Sequence, residues 1–213
     1  ALPISLWGRQ QEFISSARLD DLQCAFAAFR GFTAGKKEKH ICVYALFDNE
    51  EVGSATNQGA GATFLKNTLT RISHSLGYSY DETQAMIARS FMISADNGHA
   101  LHPNHGEYAD PVNAPRLNEG IVIKFNAQQR YATDGFSAAF FRDLCRRVEV
   151  PTQTFTNRSD IPGGSTLGNI SNTKVSMPTV DIGLPQLAMH SSYETAGTKD
   201  TAYLVQACTA FFE

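Results

Sequence analysis

The sequence predicts an α/β fold, a three-layer α/β/α sandwich with a mostly parallel central sheet. Short strand-like segments alternate with amphipathic helical segments along the chain, which is typical of a sheet covered by helices. Several of the strand-like segments are apolar on both faces, as expected of strands buried on both sides. With 213 residues, 42% of them apolar, the chain is long enough to bury a substantial core. Because no internal repeat or long linker interrupts it, one domain is expected.

The elements follow from hydrophobic periodicity and from turn residues. The segments predicted as strands are 40–47, 91–95, 121–125, 152–156 and 179–182. The segments predicted as helices are 19–32, 59–76, 81–90, 136–148 and 200–212. In the first helix, the spacing of Leu22, Phe26 and Phe29 predicts that this face packs on the sheet. In the third, Asp81 is expected to cap the helix, with Gln84 three residues later.

Composition excludes several classes of protein. A net charge of −3 provides no broad basic surface, so nucleic acid is not an expected partner. No apolar run reaches the length of about 18 residues that a membrane span needs, so no membrane association is expected. The four cysteines lie far apart in apolar segments and are interpreted as reduced thiols. These features favour a cytoplasmic location.

Acidic residues recur where predicted strands end. Glu50 and Glu51 follow the strand at 40–47, and Asp96 follows the strand at 91–95. His190 follows the strand at 179–182 in a comparable position. The functional crevice of an open α/β sheet lies beyond the carboxyl ends of its strands, so these side chains should converge. Gathered carboxylates repel one another unless a cation lies among them, and a divalent metal ion would supply that charge.

Two adjacent glutamates can serve different purposes, because successive side chains of an extended segment point to opposite sides. One can bind a metal ion while the other faces the substrate as a general base. The same divergence argues against a glycosidase pair, whose carboxyls must face each other. Asp20 remains ambiguous, since it is placed equally well to cap a helix or to bridge two ions.

Six segments resemble, in order, the successive active-site motifs of aspartyl aminopeptidases. They are SARLDD at 16–21, FDNEEVGS at 47–54, SADNGHALHPN at 94–104, QRYA at 129–132, RSDIPGGST at 158–166 and QLAMHS at 186–191. Any one motif would be weak evidence. Six motifs in the same order make coincidence improbable, so the chain is identified as a member of this family of two-metal zinc aminopeptidases.

The resemblance implies a role for each matching residue. Asp20 would bridge two zinc ions, and Glu50 would be the general base that takes a proton from the attacking water. Glu51 and His190 would complete the coordination of one metal ion, and Asp96 would bind the other. Cobalt or manganese would suit nitrogen and oxygen ligands as well. The resemblance also implies a cis peptide bond after Asp20.

Four further residues have candidate roles, and that of Tyr131 comes from the same resemblance. Tyr131 would stabilise the oxyanion of the tetrahedral intermediate, although a packing role is the alternative. Lys124 would meet the acidic side chain of a substrate's N-terminal Asp or Glu, although it could simply extend from a strand end. His99 and His102 would line the substrate pocket or support the metal ligands, or they are polar loop residues.

The chain also departs from the family pattern. The upstream segment with a His-x-Asp motif and the inserted oligomerisation domain are absent from residues 1–213. We therefore interpret the chain as the C-terminal part of a catalytic domain, with a sheet incomplete at its N-terminal side. By itself it should be inactive or nearly so, because one metal ion would lack a ligand.

Three functions remain in view. The leading one is an aminopeptidase that acts on peptides with a free N-terminus, prefers Asp or Glu, and forms a large homo-oligomer as the family does. A second is a two-metal aminopeptidase of broad specificity. A third, from a different class, is a catalytically inactive scaffold or assembly module of the same fold.

Overall fold

The computed structural model describes residues 3–38 and 40–213. The helices are α1 Leu19–Ala34, α2 Phe64–Ser75, α3 Tyr80–Ala88, α4 Gly135–Arg147, α5 Leu167–Asn172 and α6 Thr198–Phe211. The strands are β1 Ser5–Trp7, β2 Phe13–Ser16, β3 Met92–Ala95, β4 Gly98–His99, β5 Ile121–Phe125, β6 Thr152–Thr156, β7 Thr179–Gly183, β8 Pro185–Leu187 and β9 Glu194–Gly197. No helix in the described ranges is both long and apolar enough to cross a membrane.

The strands form two sheets, and the predicted α/β class is confirmed. A four-stranded sheet has the order β3-β7-β5-β6. Its β3–β7 and β5–β6 pairs are parallel and its β5–β7 pair is antiparallel. A five-stranded sheet has the order β1-β2-β9-β8-β4 and is antiparallel except for the β4–β8 pair. The parallel arrangement predicted for the centre is therefore found mainly in the four-stranded sheet.

Two parallel chain segments pass together from one sheet into the other. β3 pairs with β7, and after a short step β4 pairs with β8 in the same direction. The backbone N–H of Asp96 donates to the carbonyl of Ile182 at 3.1 Å, and that of Gly98 donates to the carbonyl of Leu184 at 2.9 Å. Asp96 and Asn97 thus lie at the junction of the two sheets, where their backbone is fixed from both sides.

The core lies where α1, α4 and α6 pack on the four-stranded sheet. It includes Cys24, Ala27, Ile121, Ile123, Ala138, Phe141, Cys145, Val150, Val180, Ile182, Leu184, Leu204, Ala207 and Cys208. Helices α1 and α6 approach closely at Gly31, where an added Cβ would lie 2.3 Å from the Cβ of Cys208. Small side chains at this crossing permit the close contact.

The predicted strand at 40–47 was wrong. The structure assigns no strand there, and Ile41 and Leu46 are 61% and 63% exposed. A strand needs a hydrogen-bonded neighbour, and no described segment pairs with this one. It lies beside α1 instead, where the hydroxyl of Tyr44 donates to the carbonyl of Ala25 at 3.0 Å.

The predicted buried face of α1 was also wrong. Leu22, Phe26 and Phe29 are exposed, whereas the side chains buried on this helix include Cys24 and Ala27. The reason is the close contact with α6 at Gly31, where a large side chain would not fit. Gln23 is also buried on this helix. The larger apolar side chains point away from α6. We call Leu22, Phe26, Phe29, Ile41, Val43 and Leu46 the exposed apolar strip.

The other predicted helices and strands are found, although α2 begins at Phe64 rather than at residue 59. Strands β2, β4, β8 and β9 were not predicted. Two further differences concern helices. Ser79, rather than Asp81, caps α3, because its hydroxyl accepts from the N–H of Glu82 at 3.3 Å. The Glu82 carboxylate accepts in return from the N–H of Ser79 at 2.8 Å, which completes a capping box. The short helix α5 was not predicted, because glycines around it indicated a turn.

Candidate metal centre

Residues from four separate segments meet at the junction of the sheets. Asp20 begins α1, Glu51 lies in the loop before α2, Asp96 follows β3, and His190 lies between β8 and β9. One ligand atom from each of Asp20, Glu51 and His190 lies within 4.8 Å of the others. The same holds for Asp20, Asp21 and Asp96. Asp20 therefore belongs to both groups, as a carboxylate that bridges two ions must.

The first group is compact around the histidine ring. His190 Nε2 lies 3.1 Å from Asp20 Oδ2 and 2.8 Å from Glu51 Oε2. The peptide bond between Asp20 and Asp21 is cis, as the resemblance implied. Asp20 Oδ1 is buried and has no hydrogen-bond partner. A buried acceptor without a partner normally carries a free-energy cost, and a metal ion would remove that cost.

The electrostatics of the second group also fit a cation. Burial, followed by the charges of Asp96 and Glu51, raises the pKa of Asp20 to about 8. Burial, followed by Asp96 and Asp20, raises the pKa of Asp21 well above its usual value. The charge of Lys124 lowers both pKa values but does not offset burial and the neighbouring carboxylates, so further positive charge would stabilise the ionised forms. The residues present therefore fit a site for divalent cations.

Glu50 differs from its neighbour Glu51. It belongs to neither group of ligand atoms. It is half-buried, and burial, followed by the charges of Asp96 and Glu51, raises its pKa to about 7. A carboxylate with a pKa near neutrality is well matched to accept and release a proton. The adjacent glutamates thus occupy different environments.

Lys124 is the buried cation beside these carboxylates. Its Nζ donates to the carbonyl of Asn97 at 2.8 Å and lies 3.3 Å from Asp96 Oδ2, and the residue is only 2% exposed. Burial by itself would lower the pKa of Lys124, but nearby negative charges, Asp96 first, raise it above its usual value. Lys124 is therefore charged at neutral pH. Its Nζ also lies 5.6 Å from the ring centroid of Tyr131.

Asn97 holds the cluster together and was not selected by sequence reasoning. Its N–H donates to Asp21 Oδ1 at 3.1 Å. Its side-chain amide donates to Gln23 Oε1 at 2.9 Å and to Gln186 Oε1 at 2.6 Å. These bonds connect α1, β8 and the residue that follows Asp96. Asp21 was likewise not selected, although both residues lie inside the motifs that carried the resemblance.

His99 and His102, which follow the junction of the two sheets, have different surroundings. His99 lies on β4, opposite Gln186 of β8. Partial desolvation, followed by the positive charges of Lys124 and His190, lowers the pKa of His99. By contrast, the Nδ1 of His102 accepts from the N–H of Asn104 at 3.2 Å, within its own loop. The structure therefore places His99 nearer to the cluster, and shows no contact between His102 and the cluster among the described residues.

A cavity of about 430 Å³ opens onto the first group of ligands. Its lining consists of Ala17, Arg18, Asp20, Glu51, His190, Ser191, Ser192 and Glu194. Another concavity, of about 360 Å³, lies along α2 and has no cluster of ligand atoms. Of these two, the cavity beside the cluster is the one that contains candidate metal ligands.

Comparison with known proteins agrees with this geometry. Residues 2–212 match the sequence profile of the family described as Aminopeptidase I zinc metalloprotease (M18). The chain belongs to this M18 family. The resemblance to aspartyl aminopeptidases is therefore confirmed.

Individual M18 proteins show the extent of the likeness. A protein of Clostridium novyi (strain NT) named "Probable M18 family aminopeptidase 2" is 46% identical over 208 residues, which are 98% of this chain and 48% of that protein. The M18 aminopeptidase structure from Thermotoga maritima has a TM-score of 0.91 at 27% identity, and the match covers 100% of this chain and 48% of that one. The S. cerevisiae mApe1 dodecamer has a TM-score of 0.84 at 29% identity, with 99% and 48% covered. The chain thus spans about half the length of these relatives.

Proposed function

We propose that the protein carrying this chain is a metal-dependent aminopeptidase that hydrolyses the N-terminal residue of peptides with two divalent cations, zinc in the first instance. The observation that carries the proposal is the position of Asp20, which is shared by two groups of ligand atoms and has a buried oxygen without a partner. Membership of a zinc metalloprotease family supports the choice of metal.

The residues of the site would bind the cations and transfer the proton. Glu51 and His190 would hold one cation, Asp96 would hold the other with Asp21 beside it, and Asp20 would bridge them. When bound, two such cations supply a lowered pKa for the attacking water and positive charge for the scissile carbonyl. Glu50 would accept the proton of that water and deliver it to the leaving amine.

An acidic N-terminal residue is the substrate we propose, with Lys124 as its partner. An ammonium has three donors, and the structure shows acceptors for two of them, Asp96 and the carbonyl of Asn97. The third is left for a substrate carboxylate. A second candidate function is an aminopeptidase of broad specificity, in which Lys124 only neutralises Asp96. The burial of Lys124 favours this candidate.

Replacement of Lys124 by methionine separates these two candidates. If Lys124 selects acidic residues, Lys124→Met should lower kcat/KM for an N-terminal aspartyl peptide at least about tenfold more than for an alanyl peptide, because a charge-assisted hydrogen bond is lost. The ratio of the two values is the measurement, since a general loss of stability affects both peptides alike. Lys174→Met, at an exposed lysine, is the control. An unchanged ratio would assign Lys124 to charge neutralisation alone.

We also propose that the protein acts as a homo-oligomer. The related mApe1 structure is a dodecamer, and the exposed apolar strip provides surface of the kind that assembly interfaces bury. Tyr131, which is buried beside Lys124, would stabilise the oxyanion of the tetrahedral intermediate. His99 and His102 would line the substrate pocket or support the metal ligands.

Metal removal tests the central proposal. The full-length gene product should contain about two equivalents of divalent metal per chain and hydrolyse aspartyl peptides. Dialysis against a chelator should abolish hydrolysis, and added zinc should restore it. Metal content by mass spectrometry and initial rates are the measurements. Protein that neither binds metal nor hydrolyses peptides would support the scaffold function instead.

A further inference from the structure

Glu194 connects the backbones of two proposed metal ligands. It is the first residue of β9 and is only 2% exposed. Its Oε2 accepts from the backbone N–H of Asp20 at 3.0 Å, and its Oε1 accepts from the backbone N–H of His190 at 2.8 Å. One carboxylate thus connects two segments that lie far apart in the chain.

These two segments need external support. His190 has a φ of 65°, and Arg18, two residues before Asp20, has a φ of 62°. Residues other than glycine disfavour this left-handed region and remain there only when their surroundings hold them. Hydrogen bonds from backbone amides to a charged carboxylate are stronger than those to neutral acceptors. Glu194 therefore has the charge and the placement to hold both turns.

Glu194 is itself held by the sheet. Opposite it on β2 is Ser16, in the antiparallel pair just before the chain turns into α1. Both carboxylate oxygens are engaged by amides, and the residue belongs to neither group of ligand atoms. It therefore contacts the ligand-bearing backbone rather than the ions that we propose.

We propose that Glu194 is a positioning residue, which fixes the distance between the Asp20 carboxylate and the His190 ring for metal binding. The inference rests on the proposed two-metal function. Loss of one amide contact would let one ligand segment move away from the other. Side chains that orient metal ligands in this way commonly change metal affinity by about 10- to 100-fold when they are replaced.

The variant Glu194→Gln tests this role. Its amide retains the shape of the side chain but offers only one acceptor oxygen, and its NH₂ group would face a backbone N–H. Calorimetric titration of metal-depleted full-length protein with zinc should show affinity lowered by about 10- to 100-fold. The visible absorption of the cobalt-substituted protein should also change, because it reports the arrangement of the ligands.

Asp200 provides a matched control. It is a fully buried carboxylate whose two oxygens also accept backbone N–H groups, from Asn118 at 2.7 Å and Gly120 at 3.0 Å. These partners lie in the segment before β5, and neither of them is a proposed metal ligand. Asp200→Asn should therefore lower the melting temperature without changing zinc affinity or the cobalt spectrum.

The outcomes are distinguishable. If wild-type protein binds no metal, the proposed function fails and the inference fails with it. If wild-type protein binds zinc and Glu194→Gln binds it equally well, or if Asp200→Asn weakens binding as much, only the inference about Glu194 is overturned. Should Glu194→Gln not fold, Glu194→Asp keeps the charge but is too short to reach both amides. It should show the same weakening, and unchanged affinity in that variant would overturn the inference.

Discussion

Replacing Glu50 by glutamine should lower kcat by about 10²- to 10⁴-fold and leave the metal content unchanged. Glutamine has nearly the same shape as glutamate but cannot accept a proton from water. Glu50 lies outside both groups of ligand atoms, and its pKa of about 7 suits proton transfer near neutrality. Steady-state kinetics on an aspartyl peptide, with metal content measured on the same samples, would check both parts of the expectation.

The matched control for Glu50→Gln is Glu149→Gln, the same change at an exposed glutamate after α4. This control should retain wild-type kcat. If Glu50→Gln loses metal together with activity, Glu50 is a ligand and not the base. If it loses neither, another group accepts the proton.

Replacing Asp20 by asparagine should lower the metal content from about two equivalents to below one, because both groups of ligand atoms share this carboxylate. A neutral amide binds a divalent cation more weakly than a carboxylate does and cannot bridge two ions as well. Hydrolysis should fall to background with the metal. Mass spectrometry of the purified full-length variant and initial rates on the same sample are the measurements.

Asp143→Asn is the control for Asp20→Asn, since Asp143 pairs only with arginines on the surface of α4. Melting temperatures of both variants would show whether folding is intact. Two equivalents of metal retained by folded Asp20→Asn would contradict the bridging role. Retention of one equivalent would place Asp20 on a single ion.

The sequence predicted the buried strands well, because β5 and β7 are short segments rich in β-branched residues, and both are buried almost throughout. It failed at residues 40–47 and on the face of α1 for a shared reason. An apolar side chain indicates that a segment tends to be buried, but it does not identify the surface that buries it. Leu22 and Leu46 carry that tendency and are exposed among the described residues.

The candidate site was likewise predicted only in part. Asp20, Glu51, Asp96 and His190 were selected from strand ends and motifs, and the structure brings them together. The parts that hold them, Asn97 and Glu194, were not selected. Their contacts join side chains to distant backbone groups, and such contacts leave no periodic signal in a sequence.

The exposed apolar strip also affects how the chain behaves in isolation. Residues 41–46 are apolar, lie next to the exposed side of α1, and lack a sheet partner within the ranges that the structure describes. An apolar segment whose backbone has no strand partner readily pairs with strands of other molecules. Residues 1–213 alone would therefore be a poor choice for a soluble fragment. An engineer who needed one would begin by introducing charge at Leu46 and Phe26, which are both exposed and do not belong to the core cluster.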